Sequence, residues 1–204
     1  MTEPADAREA VLGRVRAALA GADRSEAHVP RGYRTRPPRE GSVDLFVERV
    51  EDYRATVTRC APADLGATVA AALPAGARVV FPPGLPVDLP DKVDGTVDTG
   101  LSAHELDGFA AVVTAATVGI AETGTIVLTH GEGEGRRALS LVPDLHVCVV
   151  RVDQVVPDVP DAVALLDPVR PQTWISGPSA TSDIELDRVE GVHGPRTLHV
   201  VLVG

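Results

Sequence analysis

Residues 173–204 read TWISGPSATSDIELDRVEGVHGPRTLHVVLVG, and this stretch says more about the fold than any other part of the chain. Its β-branched and aromatic start indicates a strand at 174–176, and its apolar end indicates another at 198–203. Two turns rich in small, rigid and hydrogen-bonding residues, at 177–179 and 191–196, lie between these strands. Such turns beside buried strands are typical of a binding site.

The first turn leads into a short acidic helix with a recognisable capping pattern. Ser182 and Glu185 fit the S-x-x-E capping box, and Ser179, Thr181 and Asp183 lie at the same helix start. The backbone N–H groups of such a start, with the helix dipole, can hold a carboxylate or a phosphate. Plain helix capping explains the same residue types equally well, so both interpretations stay open.

The second turn contains His193 between two glycines, and Arg196 follows a proline. Arginine can hold a carboxylate by two parallel hydrogen bonds, and histidine can move a proton near neutral pH. In the alternative interpretation, His193 bonds to the backbone of a rigid turn while Arg196 pairs with Asp183 or Glu185.

A third motif, IAETGT at 120–125, lies between two apolar runs. Gly124 permits a tight turn, and a carboxylate on Glu122 could act there as a nucleophile or a general base. A structural turn is the alternative, because one carboxylate alone defines no reaction. The three motifs together predict one ligand-binding edge of a sheet, with Arg196 as the anion anchor and Glu122 as a weak catalytic candidate. The predicted ligand contacts are Glu122, Thr123, Gly124, Gly177, Ser179, Thr181, Asp183, His193 and Arg196.

A glycine-rich segment, HGEGEGRR at 130–137, resembles a phosphate cradle in its alternating glycines. It lacks the Lys-Ser/Thr of a P-loop and does not match G-x-G-x-x-G. Glu132 and Glu134 would also repel an anion. The segment is therefore interpreted as a flexible hairpin or lid, from which Arg136 or Arg137 could reach a carboxylate.

The remaining pattern predicts an α/β fold. Helices come first in the chain, and short strands then alternate with short helices, which favours a mainly parallel sheet with helices on both faces. The predicted helices cover 5–20, 43–58 with Ser42 as N-cap, a segment starting at Pro62, 102–107, 136–141 and 161–166; further strands are predicted at 78–81, 109–114, 125–129 and 145–152. The polar, Pro/Gly-rich segment 22–41 separates an N-terminal helix and linker arm (1–41) from an α/β domain (42–204).

The composition limits the class of protein. Hydrophobic residues make up 44% and aromatic residues 3%, so the core must consist of valine, alanine and leucine, as in sheets buried on both faces. A net charge of −10 argues against nucleic acid and against an anionic membrane surface as partners. No apolar stretch is long enough to span a bilayer, and the first residues do not resemble a signal peptide, which predicts a cytoplasmic protein.

The two cysteines, Cys60 and Cys148, are far apart in sequence and have no neighbouring thiols. Structural zinc and iron–sulfur clusters need several ligands at short spacings, so neither a metal nor a cofactor is expected. Cys148 lies in an apolar run and is interpreted as a buried, inert thiol. His146 and His199 lie in similar runs and are expected to be buried structural residues.

Four motifs carry a resemblance to a known family. They are IAETGTIVL at 120–128, LSLVPDLHVCVV at 139–150, GPSATSDIE at 177–185 and GVHGPRTLHVVLV at 191–203. With this order and spacing, the chain resembles the LUD-domain family, and within it the lactate utilization protein C branch, over roughly residues 109–204.

The resemblance implies a fold like that of the NagB/RpiA/CoA-transferase group. It also implies a role in bacterial oxidation of L-lactate to pyruvate, beside companion proteins that carry the iron–sulfur centres. The expected function is that of an accessory, non-redox component that binds a small carboxylate or other anionic ligand. Two alternatives remain: an enzyme of CoA or acyl transfer or of a cyclo-ligase-like reaction using Glu122, and a pure protein-interaction module docking through the N-terminal helix and the arm at 31–39.

Overall fold

The computed structural model describes residues 4–23, 25, 42–178 and 194–204. The chain divides into two compact units, residues 1–38 and 39–204. In the first unit, helix α1 (Pro4–Leu19) confirms the predicted N-terminal helix. In the described ranges, no helix is both long and apolar enough to cross a membrane.

Six parallel strands form the main sheet of the second unit. In spatial order they are β1 (Thr56–Cys60), β10 (Thr197–Val203), β7 (Leu145–Arg151), β4 (Ala111–Ala115), β2 (Arg78–Phe81) and β3 (Asp94–Val97). The two longest strands, β7 and β10, are the apolar runs near the end of the sequence, and they pair along their whole length. Continuous apolar runs suit strands that are covered on both faces.

A second, smaller sheet has the order β8 (Val155–Val156), β5 (Val118–Ile120), β6 (Thr125–Leu128) and β9 (Thr173–Ile175). Strands β5 and β6 form an antiparallel hairpin, β9 pairs antiparallel with β6, and β8 pairs parallel with β5. The tip of this hairpin is the ETG part of the IAETGT motif.

Helix α2 (Val43–Asp52) joins the two sheets through their side chains. The hydroxyl of Ser42 accepts a hydrogen bond from a backbone N–H of the first turn, which confirms the predicted N-cap. Phe46 and Val50 are buried in one cluster with residues of both sheets, including Val200 of β10 and Leu128 of β6. The first helix of the domain is therefore covered on two sides.

Helices cover the other outer faces. Helix α3 (Leu65–Ala72), which follows a short 3-10 turn at Pro62–Asp64, packs Val69 against the opposite face of the main sheet. Helix α4 (Ala103–Asp107) begins with a capping box at Ser102, and helix α5 (Val159–Leu165) packs Ala162 on the second sheet. The prediction of a mainly parallel α/β sheet with helices on both faces is confirmed.

Two predicted elements are wrong. The helix predicted over 43–58 ends at Asp52, since Arg54 has a left-handed backbone (φ 64) and residues 56–60 form β1. Val57 continues the helical spacing by chance, whereas the alternation of Thr56–Cys60 belongs to a strand. The segment 136–141 forms consecutive turns and no regular helix.

Candidate functional site

The topology of the main sheet marks one place where a ligand site is expected. From β2 the chain continues to β3 on one side, whereas β4 is followed in this sheet by β7 on the other side. The crevice outside the carboxyl ends of β2 and β4 is thus a topological switch point, where open α/β sheets bind ligands.

The loop at 130–137 lies across this switch point. The Gly133 N–H donates to the carbonyl of Pro83 after β2 (3.0 Å), and the Ala115 N–H at the end of β4 donates to the Gly133 carbonyl (2.7 Å). Gly133 has φ 74 and packs against Gly84 and Pro86, so its backbone conformation and the close approach both favour glycine. The loop is fixed to both strand ends by its backbone.

The side chain of Glu134 also fixes this loop. Its side chain is buried, and its two carboxylate oxygens accept hydrogen bonds from the Thr117 hydroxyl and from the Thr129 N–H. His130 bonds through Nδ1 to the Gly135 carbonyl (2.8 Å) and through Nε2 to the Thr173 hydroxyl (2.9 Å). The segment interpreted as a flexible hairpin or lid is a packed, hydrogen-bonded turn.

Arg136 has a structural partner at this edge. Its guanidinium donates to both carboxylate oxygens of Asp98 (2.7 and 3.0 Å), and Asp98 also accepts the N–H groups of Gly100 and Leu101. These bonds, that of Arg136 foremost, lower the pKa of the buried Asp98 carboxyl. Arg136 therefore ties the loop after β3 to the 130–137 loop, which corrects the suggestion that it reaches out to a ligand.

A row of buried polar side chains lies on the central strands. Nε2 of His146 lies 2.8 Å from the Thr114 hydroxyl, which is also within 3.7 Å of the Cys148 sulfur. Burial raises the pKa of the Cys148 thiol to about 12 and, with a smaller effect from Arg137, lowers the pKa of His146 to about 4. The interpretations of Cys148 as a buried inert thiol and of His146 as a buried histidine are confirmed, whereas His199 is only half-buried.

The lowered pKa of His146 predicts that the protein loses stability in mild acid. The unfolded chain takes up a proton on this histidine near pH 6.5, whereas the folded chain does so only near pH 4. The free energy of unfolding should therefore fall by up to about 1.4 kcal/mol per pH unit as the pH drops through this window. Urea denaturation at several pH values measures it. His146→Gln should remove this slope, and an unchanged slope would contradict the prediction.

The tip of the β5–β6 hairpin packs at the end of helix α2. The N–H of Glu122 donates to the Pro157 carbonyl (3.0 Å), which fixes the tip, and the Glu122 side chain is exposed. The hydroxyls of Thr123, Thr125 and Ser176 form a hydrogen-bonded row with 2.8 Å between successive oxygens. This row joins the hairpin tip to the end of β9.

Two glycines of the predicted site have left-handed backbones at this place. Gly124 (φ 59) lies against the backbone of Arg49, and Gly177 (φ 77) lies against Tyr53, so both pack on the C-terminal end of α2 and the residue after it. The structure thus brings Thr123, Gly124 and Gly177 to one place, as the motifs predicted. Their roles in ligand binding, and that of Glu122, stay predictions.

Arg196 lies just before β10 and forms a two-point ion pair with Asp144, just before β7. The Nη2–Oδ2 distance is 2.7 Å, and this pairing raises the pKa of Arg196. The pair lies at the amino ends of the parallel strands, opposite the switch point. Asp183 and Glu185, the partners named in the alternative interpretation, lie outside the described residues. The other predicted contacts, Ser179, Thr181, Asp183 and His193, lie outside the described residues.

An open cleft of about 450 Å³ beside helix α5 was not predicted from the sequence. It is lined by Val163, Leu166, Pro168, Arg170 and Gln172. The one local signal for it is an arginine between two prolines, PVRP at 168–171, which no known motif singles out. The cleft combines apolar walls with a guanidinium, which is the composition of small-molecule sites.

Comparison with known proteins identifies the family. A model of the LUD domain matches residues 103–203. A lactate utilization protein C from Deinococcus radiodurans is 45% identical over 98% of this chain and 97% of its own length. A lactate utilization protein C from Bacillus pumilus is 39% identical over a shorter alignment, 37% of this chain and 35% of that protein.

A solved structure agrees with the sequence matches. The crystal structure of a DUF162 family protein from Deinococcus radiodurans superposes with a TM-score of 0.69 at 42% identity, covering 79% of this chain and 96% of that chain. Similarity of sequence over 98% of the chain, together with similarity of fold over 79% of it, shows that this chain belongs to the LUD-domain family.

Proposed function

We propose that this chain is a non-redox accessory component of bacterial lactate utilization and that it binds a small carboxylate or other anionic ligand. The observation that carries this proposal is the 45% identity, over 98% of the chain, to a protein named lactate utilization protein C. The alignment also covers 97% of that protein, so the two chains correspond over nearly their whole lengths. Iron–sulfur companion proteins are the partners that such a role requires.

The cysteines support the non-redox part of the proposal. An iron–sulfur cluster is held by several thiolates, commonly four, whereas this sequence has two cysteines. Cys148 is fully buried on β7 with its thiol protonated, and Cys60 is a free thiol on β1, at the far edge of the main sheet. These side chains suit packing better than electron transfer.

In the described part of the domain, few arginines are available to hold a carboxylate ligand. Five arginines of the described part of the domain contact a carboxylate of the protein, as Arg136 does with Asp98. Arg196 could receive a ligand only by exchanging Asp144 for it. Arg170 instead lines an open cleft. A ligand with one carboxylate matches the two-point geometry that a single arginine offers.

The role can be tested by deleting the gene in its bacterium. We expect growth on L-lactate to be lost while growth on pyruvate continues, because pyruvate lies after the oxidation step. Reintroduction of the full chain should restore growth. Calorimetric titration of the purified chain with L-lactate and pyruvate, alone and with the companion proteins, tests ligand binding. Normal growth on lactate after deletion would refute the proposed role.

A further inference from the structure

We infer that the cleft beside helix α5 binds a short-chain carboxylic acid, with its carboxylate on the Arg170 guanidinium and its alkyl group on Val163 and Leu166. This inference rests on the proposed function and assigns a site to its anionic ligand. The site is separate from the hairpin tip and from Arg196, which the sequence motifs had suggested.

The Arg170 side chain is exposed at the cleft. Among the residues that the structure describes, none forms an ion pair or a side-chain hydrogen bond with its guanidinium. Other arginines of this acidic domain each contact a carboxylate: Arg49, Arg59, Arg136, Arg151 and Arg196. The chain has a net charge of −10, yet no carboxylate of the described residues pairs with this cation.

The loop that carries Arg170 is held by its own hydrogen bonds before any ligand binds. The N–H of Arg170 donates to the Asp167 carbonyl (3.2 Å), which closes a four-residue turn with Pro168 in its second position, where proline is favoured. The Asp167 carboxylate accepts the Val169 N–H (3.0 Å), and the Gln172 side chain donates to the Asp167 carbonyl (3.0 Å). A site fixed before binding loses less entropy when the ligand arrives.

The cleft lies beside the loop at 130–137, which crosses the topological switch point. A Cβ atom at Gly131 would lie 3.9 Å from Nη2 of Arg170, so the first glycine of the 130–137 loop borders the guanidinium. The contact between His130 and Thr173 (2.9 Å) holds this loop to β9, the strand that follows the cleft-lining segment. A ligand on Arg170 would therefore lie next to the hydrogen-bonded loop at 130–137.

The walls of the cleft select the kind of acid. The Val163 side chain is 55% exposed, and Leu166 beside it is buried with 8% exposed. A ligand would therefore cover apolar surface that water now contacts. A volume of about 450 Å³ lies within the usual range of small-molecule sites. The single guanidinium balances the single charge of a carboxylate, and its parallel N–H groups fit the two carboxylate oxygens. Affinity should rise by about fourfold for each methylene that the apolar wall covers.

The test uses the purified full chain and calorimetric titration with sodium L-lactate, 2-hydroxybutyrate and neutral methyl lactate. We expect both acids to bind, 2-hydroxybutyrate more tightly, and the ester not to bind. Arg170→Gln should weaken binding of the acids by at least about tenfold, the usual value of a charge-assisted contact. The matched control Arg59→Gln, which changes an exposed arginine paired with Asp44, should leave the affinity within about twofold.

A second variant keeps the test independent of Arg170 itself. Val163→Glu places a carboxylate in the cleft, where it should compete with the ligand and abolish binding, while thermal unfolding confirms that the exposed substitution leaves the fold intact. Binding that survives Arg170→Gln and is lost in Arg196→Gln would overturn the inference and leave the proposed function standing. Absence of any binding to the unaltered chain would also overturn the inference, whereas the growth experiment alone decides the role in lactate utilization.

Discussion

Phe46→Ala should lower the free energy of unfolding by about 3–5 kcal/mol, the cost of truncating a buried aromatic side chain. Phe46 lies in helix α2 and is fully buried in the cluster that contains residues of both sheets. A Cβ atom at Gly119 of β5 would lie 3.1 Å from its ring, so the second sheet packs directly on it. Truncation would leave a cavity where helix and sheets meet, and such a cavity collapses poorly.

Urea denaturation of the full chain measures this loss. The matched control is Leu165→Ala in helix α5, because Leu165 is 65% exposed and its truncation should change stability by less than about 0.5 kcal/mol. A loss below about 1 kcal/mol for Phe46→Ala would show that the two sheets do not depend on α2 for their packing.

The sequence correctly predicted the long apolar strands and the helices that begin with an N-cap residue. Strands β7 and β10 consist mainly of valine and leucine, and five of the seven residues of each are buried, a pattern that leaves few other interpretations. Ser42 and Ser102 mark helix starts by hydrogen bonds within four residues of the cap, so the signal is local. Local chemistry of this kind can be read without knowing the partners of each strand.

The parts that were missed depend on contacts between distant segments. Strands β5 and β8 have three and two residues, which is too short for any periodicity, and they exist because they pair with each other. Strand β1 was assigned to a helix because nothing in the sequence shows that it pairs with β10. Sheets are therefore recovered from sequence less completely than capped helices are.

The candidate site shows the same limit. The sequence suggested Arg136 and Arg196 as cations for an anionic ligand. Each pairs with a carboxylate that is distant in sequence, since Asp98 lies 38 positions from Arg136 and Asp144 lies 52 positions from Arg196. Pairing across such distances is decided by the sheet order and leaves no local pattern. Arg170 was overlooked for the converse reason, because the cleft beside this arginine is recognised only when the fold around it is known.

Gly124→Ala should lower the free energy of unfolding by about 2–5 kcal/mol, the sum of a left-handed backbone cost and an overpacking cost. Gly124 has φ 59, and an added Cβ would lie 2.6 Å from the Arg49 carbonyl carbon and 2.7 Å from the Val50 nitrogen. These are backbone atoms inside helix α2, which cannot move aside as a side chain could. The hairpin tip would have to lift away from the helix.

Gly76→Ala separates the two costs, because Gly76 has a similar φ of 69 and nothing lies within 4 Å of an added Cβ. It should lose only about 1–2 kcal/mol, the backbone part alone. Equal losses in the two variants would mean that the hairpin tip does not press on α2. A larger loss at Gly124, together with unchanged binding of 2-hydroxybutyrate at a temperature where the variant stays folded, would make the glycine of the IAETGT motif a packing residue. The carboxylate would then bind elsewhere, as the Arg170 cleft requires.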